Sequence, residues 1–299
     1  MKVSILGTNG LLSTNIGKFC NENEFELDMY GLEKPHSHFY TNYFEINLIR
    51  EELNYNILKE SDLIIYAVGA GIQSNLKESS DLIYDLNVSI PIKICNNLNQ
   101  VEFKGRFVTF GSYFEIGANS DNICFSEDDL LKSQNKVLND YSISKRLLSR
   151  FANSANLNFT YWHFVLPTIY GEMESEHRLI PYTIKSIDTN SDISFTSGDQ
   201  IRQYIYIDDV INIIFDSVNS NLEGGIHNIS GVEEFTVKEL VKRLYEFKGR
   251  KLPENVFGKT ERVDSGMKIL RLNGEKLLSL ISYIPCIKIS DVYDRYTNI

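Results

Sequence analysis

A tyrosine and a lysine, Tyr141 and Lys145, stand four residues apart in the stretch NDYSISKR that begins at Asn139. Residues at this spacing lie on one face of a helix. We expect the ammonium group to stabilise a phenolate there and to lower the pKa of Tyr141 below the value of about 10 of a free tyrosine. A phenol tuned in this way can exchange a proton with an alcohol or a ketone. Because chance also produces this spacing, other segments must supply a cofactor and a substrate.

A glycine turn near the start of the chain suits a dinucleotide. The segment from Gly7 to Ser13, GTNGLLS, follows an apolar run and opens an amphipathic stretch. This context provides backbone N–H groups and a helix N-terminus for a pyrophosphate, with a small serine in place of the third glycine of the fingerprint. The residues predicted to contact the dinucleotide here are Gly7, Asn9, Gly10, Leu11 and Leu12.

The end of the second predicted strand bears on the choice between NAD and NADP. The strand ends at Gly31, in the position where a carboxylate would bind the adenosine ribose 2′-hydroxyl of NAD. Lys34 lies three residues further along the chain. The sequence therefore favours NADP(H), with Lys34 as a contact. NAD(H) stays possible because Glu33 is close enough in sequence to supply a carboxylate.

Short apolar runs alternate with amphipathic stretches, which predicts an α/β fold with a Rossmann-type, doubly wound parallel sheet. Residues 1–166 should form the NAD(P)-binding domain, with part of 203–230 returning to it, and 167–299 mainly a smaller α/β C-terminal substrate lobe. Asp209 is expected to cap the helix that follows the strand Arg202–Ile207. The other predicted strands are Lys2–Leu6, Glu26–Tyr30, Leu63–Ala67, Arg106–Phe110, Phe159–Val165 and Ile226–Ile229. The predicted helices are Leu11–Cys20, Glu78–Asn97 with a bend at Pro91, Tyr141–Ala155, Leu179–Ile187 and Val237–Phe247.

The composition narrows the class of protein. The chain has 299 residues, of which 42% are hydrophobic and 23% charged, as in ordinary globular proteins. Its net charge of −10 argues against nucleic-acid binding. Its four cysteines show no paired spacing, so we expect reduced thiols and no metal site. We find no signal-peptide pattern and no membrane-length apolar run, so we expect a cytoplasmic protein without membrane contact.

Six motifs make the chain similar to one known family. Besides the glycine turn and the Tyr141/Lys145 pair, they are DLNV from Asp85, FGSYFEIG from Phe110, PTIYG from Pro167, and the stretch from Gly198 to Asp209. Together they resemble the extended short-chain dehydrogenase/reductase family, and within it the nucleotide-sugar epimerase/dehydratase group. The resemblance covers most of the chain.

The resemblance implies a role for each matched residue. Ser112 would donate a hydrogen bond to the substrate carbonyl, Tyr141 would be the general acid or base, and Lys145 would support Tyr141 and bind the nicotinamide ribose. Asn87 would hold the active-site helix or a water. Further implied cofactor contacts are Ala67, Gly69 and Pro167, and implied contacts of a nucleotide-diphosphate sugar are Tyr113, Arg178, Arg202 and Arg262. Relatives also dimerise through a four-helix bundle, so a homodimer is expected.

The residues after Ser112 separate the reactions of this group. Relatives that are 4,6-dehydratases carry two acidic residues directly after the catalytic Ser/Thr, whereas this chain has Tyr113 and Phe114. We therefore expect redox chemistry at one carbon, namely the NAD(P)H-dependent reduction of the C4 ketone of a nucleotide-linked 4-keto-6-deoxy sugar for surface polysaccharides. A C4 epimerase with retained NAD is the alternative. A dinucleotide-sensing regulator without catalysis is a third hypothesis, which the intact Ser112/Tyr141/Lys145 set disfavours.

Overall fold

The computed structural model describes residues 1–72, 76–260 and 266–298. Within them, a seven-stranded, wholly parallel sheet has the strand order β3-β2-β1-β4-β5-β6-β9. The described strands are β1 (Lys2–Leu6), β2 (Glu26–Gly31), β3 (Asn42–Glu45), β4 (Leu63–Tyr66), β5 (Arg106–Ser112), β6 (Thr160–Leu166), β7 (Thr168–Tyr170), β8 (Ile201–Tyr206), β9 (Gly225–Asn228), β10 (Glu233–Thr236) and β11 (Ile269–Leu270). The predicted Rossmann-type α/β fold is confirmed.

Helices connect these strands on both faces of the sheet. They are α1 (Leu11–Glu22), α2 (Tyr55–Leu58), α3 (Ser80–Tyr84), α4 (Ile90–Gln100), α5 (Glu127–Lys132), α6 (Asp140–Ser154), α7 (Leu179–Thr189), α8 (Ile207–Asn219), α9 (Val237–Phe247), α10 (Glu275–Leu278) and α11 (Ile289–Val292). The strand order reverses between β1 and β4, and ligands of such sheets bind at this reversal, beyond the carboxyl ends of the strands. The fold thus places the glycine turn after β1 and the end of β5 at one edge.

Pro91 changes the winding of the helix that precedes it. The predicted helix Glu78–Asn97 is α3 and α4 joined by one π-helical turn, Asp85–Ser89, in which the Ile90 N–H bonds to the Asp85 carbonyl five residues back. A proline ring clashes with the carbonyl four residues earlier, which here belongs to Asn87, and a wider turn relieves that clash. The bend predicted at Pro91 therefore takes the form of a π turn centred on Asn87.

A second, smaller sheet carries the remaining strands. Strand β8 pairs with β7 and β11 in parallel and with β10 antiparallel. The chain then returns, since β9 pairs with β6 in the large sheet and α8 packs against α1, with Phe19 and Phe215 stacked at 4.3 Å between ring centroids. The division at residue 166 stays a prediction, although β9 lies where the return of residues 203–230 was expected.

Asp209 does not cap a helix, and that expectation was wrong. Helix α8 begins at Ile207, so Asp209 lies inside its first turn and is fully buried. Its carboxylate accepts hydrogen bonds from the Tyr283 hydroxyl and the Ile287 N–H at 2.6 and 2.9 Å, which ties α8 to the C-terminal segment. Along the described ranges, no helix is long and apolar enough to cross a membrane.

Candidate active site

A cavity of about 550 Å³ opens where β4, β5 and β6 end. Its walls bring together Ser112, Tyr141, Lys145 and Asn87, which the sequence had predicted to act as one site. They also include predicted contacts of the cofactor and of the substrate, namely Leu12, Ala67, Gly69, Pro167, Tyr113, Arg178 and Arg202. Residues from both sheets and from the helices around them thus meet around a space large enough for a small-molecule ligand.

Ser112 ends β5 and faces Tyr141 on α6. Its hydroxyl is hydrogen-bonded to the Tyr141 phenol, an interaction that acts to lower the pKa of that phenol. The same hydroxyl accepts a long bond of 3.4 Å from the Phe114 N–H, as the cap of the short 3₁₀ helix Tyr113–Ile116. Ser112 is therefore both the cap of this turn and a donor or acceptor that faces the cavity.

The expected effect of Lys145 on Tyr141 is absent from the structure. Burial raises the pKa of Tyr141 to about 12, and Lys145 is not among the groups that lower it. The Lys145 ammonium lies 5.8 Å from the centroid of the tyrosine ring and donates to the Phe110 carbonyl at 2.9 Å. Burial in turn lowers the pKa of Lys145 to about 8. In the protein without ligands, Tyr141 is therefore a protonated phenol at neutral pH.

Asn87 joins the active-site helix to the loop after β4. Its amide oxygen accepts the Ala70 N–H at 2.9 Å, and its amide nitrogen donates to the Ala70 carbonyl and to the Ser144 hydroxyl, both at 2.9 Å. The Ser144 hydroxyl donates onward to the Tyr141 carbonyl at 2.7 Å. Asn87 thus contacts α6 one step from Tyr141, and both ends of its amide are satisfied.

The glycine turn after β1 has the shape that a dinucleotide pyrophosphate needs. Gly7 has a φ of +112°, which only glycine adopts readily, and a Cβ there would lie 3.3 Å from the Ala67 backbone. A Cβ at Gly10 would have only Ser13 Oγ nearby, at 3.9 Å, so space remains beside the start of α1. The buried Ser13 hydroxyl has no hydrogen-bond partner among the described residues. These features fit a bound dinucleotide.

Asn9 and Lys34 meet beside this turn. The Asn9 amide donates to the Lys34 carbonyl at 3.2 Å and accepts the His36 N–H at 2.9 Å. Asn9 therefore holds the loop after β2 against the turn, with the Lys34 side chain exposed. A side chain at Gly31 would collide with Thr8, because a Cβ there would lie 2.7 Å from Thr8 Cγ2. Thr8 thus explains in part why no carboxylate ends β2.

The opposite wall of the cavity carries two of the predicted substrate arginines. Arg178 directly precedes α7, where its Nε is paired with the buried Glu174 carboxylate at 2.8 Å and its Nη2 donates to the Ile169 carbonyl at 3.1 Å. Arg202 on β8 is 6% exposed, and its guanidinium lies 5.9 Å from the centroid of the Phe114 ring. Arg262 lies outside the described residues.

Tyr113 and Phe114 form the part of the wall next to Ser112. The Tyr113 hydroxyl is hydrogen-bonded to the Thr168 hydroxyl, and the two aromatic rings meet edge to face at 5.1 Å. Both side chains line the cavity. The residues directly after Ser112 thus offer a phenol and an apolar ring, and neither is a carboxylic acid.

A set of buried polar residues beneath Ser112 was not predicted from the sequence. Glu115 is 1% exposed, and its carboxylate accepts the Ser112 N–H at 2.7 Å and the Ser149 hydroxyl. Ser149 also contacts His163 Nε2 at 2.9 Å. A signal for Glu115 was available, because Ser112 and Glu115 have the S-x-x-E spacing of a capping box, which the structure forms. Nothing in the sequence pointed to Ser149 or His163.

A glycine turn at the reversal of a parallel sheet, facing a serine, a tyrosine and a lysine, defines the extended short-chain dehydrogenase/reductases as a class. Residues 3–230 match the NAD dependent epimerase/dehydratase family. The chain belongs to this family, and it is an NAD-dependent enzyme of the oxidoreductase/epimerase type.

Two curated relatives are CDP-abequose synthases. The protein of Yersinia pseudotuberculosis is 24% identical over 206 residues, which are 68% of this chain and 68% of the relative. The protein of Salmonella muenchen is 28% identical over 114 residues, which are 36% of this chain and 39% of the relative. The sequence similarity to these synthases is therefore weak but extends over two thirds of the chain.

Solved structures of nucleotide-sugar enzymes share the whole fold. The UDP-glucuronic acid 4-epimerase of Bacillus cereus, in complex with UDP-glucuronic acid and NAD, superposes with a TM-score of 0.85 at 17% identity and covers 100% of this chain and 99% of its own. The dTDP-glucose 4,6-dehydratase of Bacillus anthracis, in complex with NAD, has a TM-score of 0.82 at 16% identity and covers 100% and 96%.

Proposed function

We propose that this protein reduces the C4 ketone of a nucleotide-linked 4-keto-6-deoxy sugar, with NADPH as the preferred reductant. The observation that carries the proposal is the cavity wall after Ser112, where Tyr113 and Phe114 leave no acid to expel a C6 hydroxyl. The similarity to CDP-abequose synthases supports the same reaction. The product would serve the synthesis of surface polysaccharides.

Ser112 and Tyr141 would act on the substrate oxygen. A hydrogen bond from the Ser112 hydroxyl stabilises the negative charge that develops there during reduction. The Tyr141 phenol is protonated in the free protein, so it can deliver a proton to the nascent alkoxide. Lys145, below its pKa of about 8, places a positive charge beneath both groups. When bound, the nicotinamide cofactor would supply the hydride.

Arg178 and Arg202 would bind the diphosphate of the substrate. Both line the cavity on the side away from the glycine turn, and guanidinium groups bind phosphates with two parallel hydrogen bonds. Arg178 also directly precedes α7, whose N-terminal N–H groups favour an anion. The cofactor would lie over Gly7, Gly10 and Leu12.

The preference for NADP(H) is supported by the end of β2. Thr8 occupies the space that a side chain at Gly31 would need, and the exposed Lys34 lies on the loop that Asn9 holds against the turn. A cation at this place suits a 2′-phosphate.

An epimerase with retained NAD is the second candidate, favoured by the similarity in fold to 4-epimerases. An epimerase starts by removing a proton from a substrate hydroxyl, which calls for a phenolate. The raised pKa of Tyr141 favours the opposite direction, the donation of a proton.

The test is the oxidation of NADPH with a panel of CDP-, dTDP-, UDP- and GDP-linked 4-keto-6-deoxy sugars. Loss of absorbance at the reduced nicotinamide band with one of them supports the reductase. Interconversion of 4-hydroxy sugars without added cofactor supports the epimerase instead. Cofactor binding without either reaction would support the sensing regulator.

We also propose a homodimer through a four-helix bundle built from α6 and from the helix Glu78–Asn97, which comprises α3 and α4, as the family resemblance implies. Leu147 on α6 is a large apolar side chain that is 44% exposed, so it is available to be covered by a partner. Sedimentation of the wild type and of Leu147→Glu tests this, with a monomeric wild type as the contrary result.

A further inference from the structure

Five buried polar side chains form a continuous chain of hydrogen bonds beneath the active site. We name Glu115, Ser149, His163, Thr109 and Tyr161 the buried network. His163 lies at its centre, with Nε2 at 2.9 Å from the Ser149 hydroxyl and Nδ1 at 2.7 Å from the Thr109 hydroxyl. The Thr109 hydroxyl is 2.8 Å from the Tyr161 hydroxyl. A buried network of this kind is stable only when every member is satisfied.

The donor and acceptor groups of the buried network allow its hydrogen bonds to run in only one direction. The Ser149 hydroxyl donates its one hydrogen to the Glu115 carboxylate, so it must accept from His163 Nε2–H. His163 is neutral, because burial lowers its pKa to about 3, and its Nδ1 therefore accepts from Thr109, which accepts from Tyr161. In the reverse direction Tyr161 would be the last donor, and no residue in the described ranges offers it an acceptor. Every hydrogen bond thus points towards Glu115.

Glu115 also joins the two elements that carry the proposed catalytic residues. Its carboxylate accepts the Ser112 N–H from β5 and the Ser149 hydroxyl from α6. The Arg146 guanidinium on α6 donates to the Glu115 carbonyl, with Nε at 2.7 Å. Gly111 leaves room for this arrangement, since a Cβ there would lie 2.6 Å from Glu115 Oε1 and 2.7 Å from His163 Nε2.

The charge on Glu115 opposes the effect of burial on Lys145. The groups that face Lys145 are Tyr141 on its own helix, Glu115 on the 3₁₀ turn and His163 on β6. Burial lowers the pKa of Lys145, and the negative Glu115 raises it again. His163 stays neutral, in part because Lys145 is positive. A buried ammonium without an opposite charge would lose its proton.

We propose that Glu115 is a positioning residue for the ketone reduction proposed above: its carboxylate anchors Ser112 to α6 and keeps Lys145 charged. The effect of Glu115 on catalysis rests on the proposed function. Its effect on the charge of Lys145 does not depend on which reaction the protein catalyses. The rest of the buried network supplies the hydrogen bonds that hold the carboxylate in place. Glu115 does not touch the substrate and transfers no proton to it.

The inference predicts how activity depends on pH. Burial raises the pKa of Glu115 to about 7, against the opposing effects of Ser149, Ser112, Lys145 and Arg146. Below that pH the carboxylate is neutral, and above about 8 Lys145 is neutral. Because Lys145 must be charged, kcat/KM of the free enzyme should fall as the pH rises through about 8, whereas protonation of Glu115 below pH 7 leaves Lys145 charged.

Two variants separate the charge from the hydrogen bond. Glu115→Gln retains an acceptor for the Ser112 N–H but removes the charge, and should move the basic limb of the pH profile down by about 1 pH unit. At pH 8 the charged fraction of Lys145 would then fall about fivefold. Ser149→Ala retains the carboxylate and removes one hydrogen bond that lowers its pKa, so the basic limb should move by less than in Glu115→Gln. Equal profiles for the two variants would overturn the proposal.

A measurement on the protein without substrate or cofactor keeps this test apart from the proposed function. Lysine labelled with ¹³C at Cε gives the pKa of Lys145, assigned by its loss in Lys145→Met. We expect a lower pKa of Lys145 in Glu115→Gln and a smaller decrease in Ser149→Ala, which retains the carboxylate. An unchanged pKa in Glu115→Gln overturns the proposal, whereas a shift without any ketone reduction overturns only the proposed reaction.

The wild type provides a test that no folding defect can obscure. Long-range ¹H–¹⁵N spectra of the histidines report the tautomer of His163. A proton on Nε2 and none on Nδ1, at any pH above about 7 at which Glu115 is ionised, is the expected result. The opposite tautomer would reverse the network, leave Glu115 as a donor, and overturn the proposal.

Discussion

Thr8 lies so close to Gly31 that a Cβ at position 31 would come within 2.7 Å of Thr8 Cγ2 and 3.4 Å of Thr8 Cβ. The first of these contacts is a collision and the second is an ordinary van der Waals distance. The γ-atoms of one threonine in the glycine turn thus restrict which residue can end β2, the strand whose last residue bears on the choice of cofactor.

This relationship predicts a change of cofactor preference. Gly31→Asp alone should destabilise the protein, because its side chain meets Thr8. Thr8→Ala/Gly31→Asp should fold and should shift the ratio of NAD⁺ to NADP⁺ affinity about tenfold towards NAD⁺, since a carboxylate there can bind a ribose hydroxyl. Fluorescence titration of both cofactors measures the ratio, with Thr8→Ala as the control. No shift in the double variant would contradict the role of this position.

Removing the Tyr141 hydroxyl should stop turnover. Tyr141→Phe should lower kcat by at least about 100-fold, because it deletes the proton donor. Cofactor affinity should stay within about twofold, since Lys145 keeps its own contact with the Phe110 carbonyl. Stopped-flow measurement of NADPH oxidation and a separate cofactor titration give the two numbers. Near-normal kcat would disprove the assignment of Tyr141.

The hydroxyl of Tyr296 should affect substrate binding from outside the cavity. It donates to Glu174 at 3.0 Å, and Glu174 is paired with Arg178. Tyr296→Phe should therefore raise KM for the sugar nucleotide up to about tenfold, with kcat little changed. Tyr206→Phe is the matched control, because the Tyr206 hydroxyl bonds to Glu172, outside the cavity wall. Equal effects of both variants on KM would contradict the explanation that Tyr296 affects substrate binding through Glu174 and Arg178.

Two glycine variants should separate cofactor binding from stability. Gly111→Ala should lower the free energy of unfolding by about 1–3 kcal/mol, since its methyl group would overlap Glu115 and His163. Gly10→Ala has space for its methyl group, so it should change stability by less than about 1 kcal/mol and weaken cofactor binding instead. Urea unfolding and cofactor titration test the pair. A stable Gly111→Ala would show that the buried network adapts to the added atom.

Sequence patterns predicted the central strands and the long helices because burial on both faces or on one stripe leaves a clear periodicity. The predicted strand Lys2–Leu6 and helix Tyr141–Ala155 match β1 and α6 within a residue or two. Strand β3 was missed, since Asn42–Glu45 is a short edge strand without a buried residue. Its extended shape comes from pairing with β2, which no local pattern encodes.

The residues of the site that belong to recognisable motifs could be predicted from the sequence. Those whose role depends only on tertiary contacts could not. Ser112, Tyr141 and Lys145 were found through spacing and resemblance, and they meet at one cavity. The prediction that the pKa of Tyr141 is lowered was wrong, because the spacing identifies Lys145 as a neighbour but does not show that Tyr141 is buried. The roles of Thr8 and Glu174 could not be assigned, because they depend on a partner 23 residues away or on a buried ion pair that only the folded chain shows. Glu115 could have been found as part of a capping box, but its contact with Ser149 on α6 could not.

The π turn at Asn87 makes the register of a helix part of the active site. An α-helix advances about 100° per residue, and the π turn absorbs one extra residue between α3 and α4. The wide turn takes up that residue locally, so α3 and α4 continue their winding on either side of it. Deleting Leu86 would remove the extra residue, and regular winding would then press the Pro91 ring against the carbonyl four residues before it. The turn that relieves Pro91 is also the turn that holds the Asn87 amide between Ala70 and Ser144, so one proline and one active-site amide share a single irregularity.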